Sequence, residues 1–261
     1  MTKWAVVSDI HGNLPALQAV LADAKAQGAD GLLNLGDIVS GPLWPRETAE
    51  LLMSSGGQAM AGNHERQTLT GTPERMGGSD RFAAERLTAE QLRWLAALPT
   101  AMRPEEGLLC VHGSPTSDVE NLLETVTPDF GVAGSKGVRL ATADEIRSRL
   151  PPLNVSLILC GHTHMPRSLL LDQYHLANPG SVGLPAFDHD QPHRHHMETG
   201  SPHARYALVQ REVLGWRIEL RSVVYDWEAA AVKAGAEGFW DWADALRSGR
   251  VGRTEHDRTR P

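Results

Sequence analysis

Cysteine is almost absent from this chain, which carries only Cys110 and Cys160 among 261 residues. Each closes an apolar run, where a small buried thiol is the common finding, so no disulfide framework is expected. Long hydrophobic stretches are missing too. Even the run from Val155 to Cys160 is interrupted by Ser156, so no bilayer-crossing segment is predicted. The opening residues Met1-Thr2-Lys3-Trp4 lead into a short strand-like run, without the apolar core or small-residue cleavage site of a signal peptide. A cytoplasmic protein is expected. Positive charge is in deficit, at a formal net charge of -7. Bulk adsorption onto nucleic acid or membrane is therefore not expected, and an anionic ligand would need a local positive centre. With 41% hydrophobic and 22% charged residues, the composition is that of a globular chain able to bury a large core.

What is present is a repeated event: an apolar run typical of a buried strand, followed at once by metal-type side chains. Trp4-Ala5-Val6-Val7 leads into Ser8-Asp9-Ile10-His11-Gly12-Asn13, and Gly31-Leu32-Leu33-Asn34-Leu35 into Gly36-Asp37. Gln58-Ala59-Met60-Ala61 leads into Gly62-Asn63-His64-Glu65, and Leu108-Leu109-Cys110-Val111 into His112-Gly113. The run from Val155 to Cys160 ends in Gly161-His162-Thr163-His164. Between these runs lie helical segments. One is predicted from an N-cap at Asn13, with Pro15 in the first turn and Leu14, Leu17, Leu21 and Ala24 on one face, to a stop at Gly28. Others are predicted over 45–54 and 81–98. Such alternation implies an α/β architecture with a largely parallel sheet, in which ligands bind beyond the carboxyl ends of the strands. All the clusters lie at that edge.

Together Asp9, His11, Asp37, Asn63, His112, His162 and His164 offer imidazole nitrogens, carboxylates and one amide oxygen, a mixed set suited to manganese, iron, zinc, cobalt or nickel. The set is too large for one tetrahedral zinc with an open position. It suits two ions about 3.5–4 Å apart that share a carboxylate, with Asp37 as the bridge. Two divalent cations against two carboxylates leave a surplus of positive charge, which a bridging hydroxide cancels in part and phosphate oxygens complete. Such ions bring water towards a neutral pKa, so a nucleophile exists without a catalytic serine or cysteine. Gly12, Gly36, Gly62, Gly113 and Gly161 flank these residues, where a missing Cβ permits sharp turns and close approach. A lone Asp or His at a loop edge is more often a cap or a surface group; the concerted set is what points to metal.

The ordered motifs DIHGN, GDIVSGP, GNHE, VHGSP and GHTHMP resemble those of the calcineurin-like metallophosphoesterase superfamily. DIHGNLPAL and the later NPGSVGLP are similar to its small bacterial and archaeal phosphodiesterase branch, and the motifs span about two-thirds of the chain. The resemblance implies a layered fold of βαβ sheets sandwiched together and flanked by helices. It implies one metal on Asp9, His11, Asp37 and His164 and a second on Asp37, Asn63, His112 and His162, with manganese the first candidate. It also implies that His64 stands near the scissile bond, steadying the transition state or protonating the departing oxygen, and Glu65 is the nearest carboxylate in sequence to orient it. The implied reaction is in-line attack by a hydroxide bridging the two metals, without a phosphoenzyme. Phosphodiesters rank first as substrates, dinucleoside polyphosphates second, and phosphoproteins or small phosphomonoesters third. A non-catalytic scaffold of the same fold is the reading from another class; it is disfavoured because every ligand position is filled.

An arginine clamp is not evident, Arg46, Arg66 and Arg167 being the nearest candidates in sequence. Residues 114–140, with a short helix near 119–125, either border the pocket, where they could select the leaving group, or form an ordinary surface connection. The stretch 188–203, with His189, His193, His195, His196 and His203, is expected to be a mobile loop, an accessory metal or phosphate contact and a lid being the alternatives. Strands over 205–210 and 216–224 should pair around Leu214-Gly215. A helix from Tyr225-Asp226 through Arg247 should cover the sheet, its aromatic residues serving as core or as a homodimer contact. One domain over 1–249 with a frayed tail over 250–261 is expected.

Overall fold

Runs that are apolar at consecutive positions can stand as strands only if both of their faces are covered. The computed structural model, which describes residues 2–72 and 74–252, covers them with a second sheet on one side and helices on the other. The first sheet comprises β1 (Lys3–Val7), β2 (Gly31–Asn34), β3 (Gln58–Ala59), β13 (Ala204–Glu212) and β14 (Gly215–Val223), in the spatial order β14-β13-β1-β2-β3. The second comprises β4 (Ala101–Met102), β5 (Leu108–Val111), β8 (Leu157–Leu159), β9 (Arg167–Leu171) and β10 (Tyr174–Asn178), in the order β4-β5-β8-β10-β9. Side chains alternate across them with period two. Val6, Leu33, Ala207 and Val209 meet Leu108, Cys110, Leu157 and Leu159 between the sheets. Ala5, Val7, Tyr206 and Leu208 face the helices instead, and Leu109, Val111 and Ile158 face the far side of the second sheet.

The first sheet is covered by α1 (Leu14–Ala26), α2 (Pro45–Ser54), α5 (Ala89–Ala96), α7 (Trp227–Ala236) and α8 (Trp240–Ser248), with α3 (Asn63–Thr70) and α4 (Gly78–Ala84) at its end. Ile146 of α6 (Ala143–Arg149) packs on the second sheet. Two hairpins and a 3-10 turn (Val132–Gly134) complete the described chain: β6 (Glu124–Val126) with β7 (Val138–Leu140), and β11 (Ala186–His189) with β12 (His195–Glu198). Asn13 caps α1, its side chain accepting from the Ala16 N–H at 3.3 Å, and Gly28 follows the helix at φ 73°. No helix among the described residues is long and apolar enough to cross a membrane. Both cysteines are buried and unpaired.

Several expectations need correction. The sandwiched sheets with flanking helices are as expected, but both sheets are mixed rather than largely parallel, because β9–β10 and β13–β14 are joined by tight hairpins and a short connection permits only antiparallel pairing. The 81–98 helix is two pieces, broken before the Thr88 cap of α5, and the C-terminal helix breaks at Gly238, whose φ is 84°. No helix forms near 119–125; the chain turns there and enters β6. The mobile loop of 188–203 is instead largely the β11–β12 hairpin, anchored because His195 and Met197 point inward on alternate residues. Of the expected frayed tail, residues 253–261 lie outside the described residues. Val251 is held, its N–H donating to Glu198 Oε1 at 2.8 Å.

Candidate metal centre

The carboxyl ends of β1, β2 and β3 in one sheet and of β5 and β8 in the other open onto the same place, so the loops that follow are brought together from both layers. Asp9 and His11 follow β1, and Asp37 follows β2. Asn63 opens α3 after β3, His112 follows β5, and His162 and His164 follow β8. Five of these seven residues, Asp9, His11, Asp37, His162 and His164, have φ between 51° and 66°. That left-handed conformation costs a non-glycine residue of order 1 kcal/mol or more, and strain of this kind concentrates at functional sites. Asp, Asn and His tolerate it best, so the residue types that ligate are also those the tight turns accept. The loops are stitched together by backbone hydrogen bonds. Asp9 N–H donates to Gly36 O (3.0 Å), His11 N–H to Asp37 O (3.0 Å) and Gly161 N–H to His112 O (2.7 Å). Gly62 is required by contact, because a Cβ there would lie 2.3 Å from Asp37 Oδ1.

The donor atoms fall into two groups, Asp9 with His11 and His164, and Asp37 with His112 and His162, each with its ligand atoms within 4.8 Å of one another. Asn63 belongs to the second group, its Oδ1 lying 3.0 Å from both His112 Nε2 and His162 Nδ1. His112 Nε2 is also 3.1 Å from Asp37 Oδ2. Ring orientation is set from behind. Nδ1 of His11, His112 and His164 lies 2.7–2.8 Å from the carbonyls of Ser40, Leu35 and Leu184 respectively. A carbonyl only accepts, so each of these nitrogens carries a proton; where the ring is neutral Nε2 then presents a lone pair to the centre, whereas His112, paired through Nε2 with Asp37, would give up its second proton to a cation. In consequence the Nε2 atoms of His11 and His164 face each other at 3.2 Å, an arrangement that asks for a cation between two lone pairs. Asp9 Oδ2 is buried without a hydrogen-bond partner, a cost that a metal ligand bond would relieve. The residues fit two metal ions.

Burial, with His164 nearby, lowers His11 to about 4, and burial lowers His162 to about 3, so both rings are neutral at neutral pH. His112 is the opposite case: burial pulls it down, but the Asp37 carboxylate outweighs this and lifts it to about 10.

Relatives share this frame. The family model for calcineurin-like phosphoesterases matches residues 2–166, more than half of the chain. The chain belongs to that family. An uncharacterized protein of Methanocaldococcus jannaschii is 27% identical over 263 residues, covering 91% of this chain and 94% of its own. Among solved structures, a metallophosphoesterase from Sphaerobacter thermophilus superposes with a TM-score of 0.69 at 24% identity, covering 95% of this chain and 99% of the other. A hypothetical protein from Pyrococcus horikoshii superposes at 0.72 with 21% identity, covering 97% and 100%. These superpositions show the same fold.

In this calcineurin-like phosphoesterase the surroundings of His64 differ from the sequence expectation. Glu65 does not orient it. The Glu65 carboxylate is fully buried and accepts the backbone N–H groups of Asp37, Ile38 and Gly62, each at 2.8 Å, clamping the Asp37 turn to the start of α3. The partner of His64 is Asp80, in the first turn of α4, whose Oδ1 is 2.7 Å from His64 Nδ1; Ser40 Oγ is 3.2 Å from the same nitrogen. Burial pulls His64 down, but Asp37 and the hydrogen-bonded Asp80 lift it to about 9. A further brace missed in sequence is the NPGSVGLP segment. There Ser181 Oγ donates to Asp9 O at 2.7 Å and Gly183 N–H to the same carbonyl at 3.0 Å. Glu65→Ala is expected to lower the unfolding free energy by about 3 kcal/mol or more, since three buried donors lose their acceptor at roughly 1–3 kcal/mol each. Urea denaturation measures this, and a loss below about 1 kcal/mol would show that water takes over the clamp.

A cavity of about 870 Å³ opens over both donor groups, with His64 on its wall. None of the candidate clamp arginines lines it. Arg66 forks onto Asp118 at 2.7 and 2.9 Å, Arg167 pairs with Glu124, and Arg46 sits in α2. From the histidine-rich stretch, His189 and His195 line the cavity, their rings 6.0 Å apart across the hairpin. Residues 119–121 and 124–126 line it as well, so that part of the segment after His112 borders the pocket rather than forming a plain surface connection.

Proposed function

We propose that the protein is a phosphodiesterase that hydrolyses P–O bonds with two divalent metal ions, one on Asp9, His11, Asp37 and His164, the other on Asp37, Asn63, His112 and His162. The observation that carries this reading is the pair of adjoining donor groups with oriented lone pairs, beside a histidine held by a carboxylate. Bound there, the ions supply Lewis acidity to phosphoryl oxygens and lower the pKa of water towards neutrality. The chain's own residues do the rest. Backbone carbonyls of Leu35, Ser40 and Leu184 hold the imidazoles in the ligating tautomer. Asp80 occupies Nδ1 of His64, so the proton available to a departing oxygen is the one on Nε2. In the metal-free protein Asp37 and Asp80 raise His64 to about 9, and with cations on Asp37 the Asp80 carboxylate still supports the imidazolium that gives that proton.

Manganese is the first candidate metal, because a mixed nitrogen and oxygen set suits it. The partner in this reading is a small phosphate ester or nucleotide in the cytoplasm, and the net charge of -7 argues against polymeric nucleic acid or anionic lipid. A homodimer through the face that carries the part-exposed Trp240 belongs to the same reading. The test is hydrolysis, with manganese present, of a generic diester, a generic monoester and a dinucleoside tetraphosphate. A higher kcat/KM for the diester is expected; preference for the monoester would make the protein a phosphatase instead. Protein purified without chelators that contains no metal would leave a scaffold as the better account.

A further inference from the structure

The family match ends at residue 166, so it takes in the metal-type loops but not the wall beside them. Later residues build that wall: Leu184, Ala186 and Phe187 at the start of β11, and Trp242 and Ala245 of α8. The Phe187 ring stands edge-on to His164 with centroids 4.6 Å apart, and the Trp242 ring stands edge-on to His11 at 5.7 Å. The tip of the Trp242 indole reaches Gly41, where a Cβ would meet it at 3.0 Å. Two aromatic rings therefore flank the Asp9, His11 and His164 group. The His11 ring is also 5.3 Å from the His64 ring. Only the His11 ring thus separates His64 from the Trp242 ring, and both line the same cavity.

Charge narrows the arm further. Glu120, Asp188 and Asp241 line the cavity, and Arg149 is the one arginine or lysine on its surface among the described residues. Its guanidinium is spent on the carbonyls of Asn121, Leu122 and Glu124, at 2.8–3.1 Å. Among the described residues, a phosphate chain running beyond the metal site would meet three carboxylates against one guanidinium already held by those carbonyls, which disfavours further negative charge. We propose that Phe187 and Trp242 form the leaving-group subsite, and that the substrate is a phosphodiester whose leaving alcohol carries a flat apolar group, the size of a nucleoside or a substituted phenol, without further negative charge. This rests on the phosphodiesterase reading above.

The test compares wild type with Trp242→Ala and Phe187→Ala, each loaded with manganese and assayed for metal content. Bis(p-nitrophenyl) phosphate and diadenosine tetraphosphate are the substrates, and inorganic phosphate is the competitive inhibitor that engages the metals alone. The KM for the aryl diester should rise roughly 10- to 100-fold in the variants, the loss typical of one aromatic stacking contact. The inhibition constant of phosphate should stay unchanged, and wild type should favour the diester over the tetraphosphate. In parallel, adenosine should give saturation-transfer NMR signals with metal-free wild type and lose them with the double variant. Weakening of phosphate inhibition in step with KM would overturn the proposal, since the rings would then act only through His11 and His164; so would preference for the tetraphosphate. Metal-loaded wild type that cleaves neither ester removes the phosphodiesterase reading instead, and the adenosine signals on metal-free protein then report on the wall by themselves.

Discussion

Asp37→Asn should reduce diester hydrolysis about a thousandfold or more, the scale on which loss of one group stabilising transition-state charge is felt in a dry site. The substitution is chosen because it keeps the backbone turn that carries the site. Asp37 sits at φ 55°, and asparagine is as much at home there as aspartate, so the turn survives. The N–H groups of Asp37 and Ile38 still find the Glu65 carboxylate, and the amide oxygen can still accept from His64 N–H, as Asp37 Oδ1 does at 2.9 Å. What disappears is the negative charge of the donor group that Asp37 forms with His112 and His162, the charge that the proposed function has both cations share. Metal content measured by mass spectrometry should fall with activity, while the circular dichroism spectrum of the metal-free protein remains close to wild type. Retention of both metals and of activity in this variant would sink the shared-carboxylate assignment.

Much of this centre was legible because its signals are local. An apolar run followed at once by glycine and a ligand-type side chain marks a strand end wherever it occurs, and the loops after β1, β2, β3, β5 and β8 were placed on that basis. The partition of those strands between two sheets was not legible. Val6 facing Leu157 and Ala5 facing helices depends on register and layering over long separations, and a run apolar on both faces looks the same in either sheet. Sequence proximity misled at Glu65, which is adjacent to His64 in the chain but turned into the backbone of the Asp37 loop. Asp80 gave no signal: it lies in a Gly-Gly-Ser-Asp stretch just before the expected helix start at Arg81, and only the packing of α4 against α3 brings it to His64. The hairpin at 186–198 was hidden by polar composition, although the inward alternation of His195 and Met197 was there to be read.

Asp80→Asn is the variant that separates a proton-donating His64 from one that merely fills space. The amide oxygen can accept from Nδ1 at the same 2.7 Å, so the ring should keep its place while losing the adjacent negative charge. Loss of that charge lowers the pKa of His64, because a carboxylate partner stabilises imidazolium and a neutral amide does so less. In the metal-free protein His64 is raised to about 9 by Asp37 and Asp80 together. With cations bound, the charge of Asp37 is balanced, and Asp80 becomes the main support of the protonated form. The sign follows: the alkaline limb of the kcat/KM profile, where imidazolium is lost, moves to lower pH in the variant, and the acid limb stays in place. At a pH above the new limb, kcat should fall by roughly 10- to 100-fold, the usual cost of removing the partner of a functional histidine. Metal content should be unaffected, since Asp80 belongs to neither donor group. Asp80→Glu, which restores the charge on a longer arm, should recover part of the alkaline limb. A uniform drop across all pH values with both limbs unmoved would mean that Asp80 holds α4 in place and leaves the His64 proton untouched.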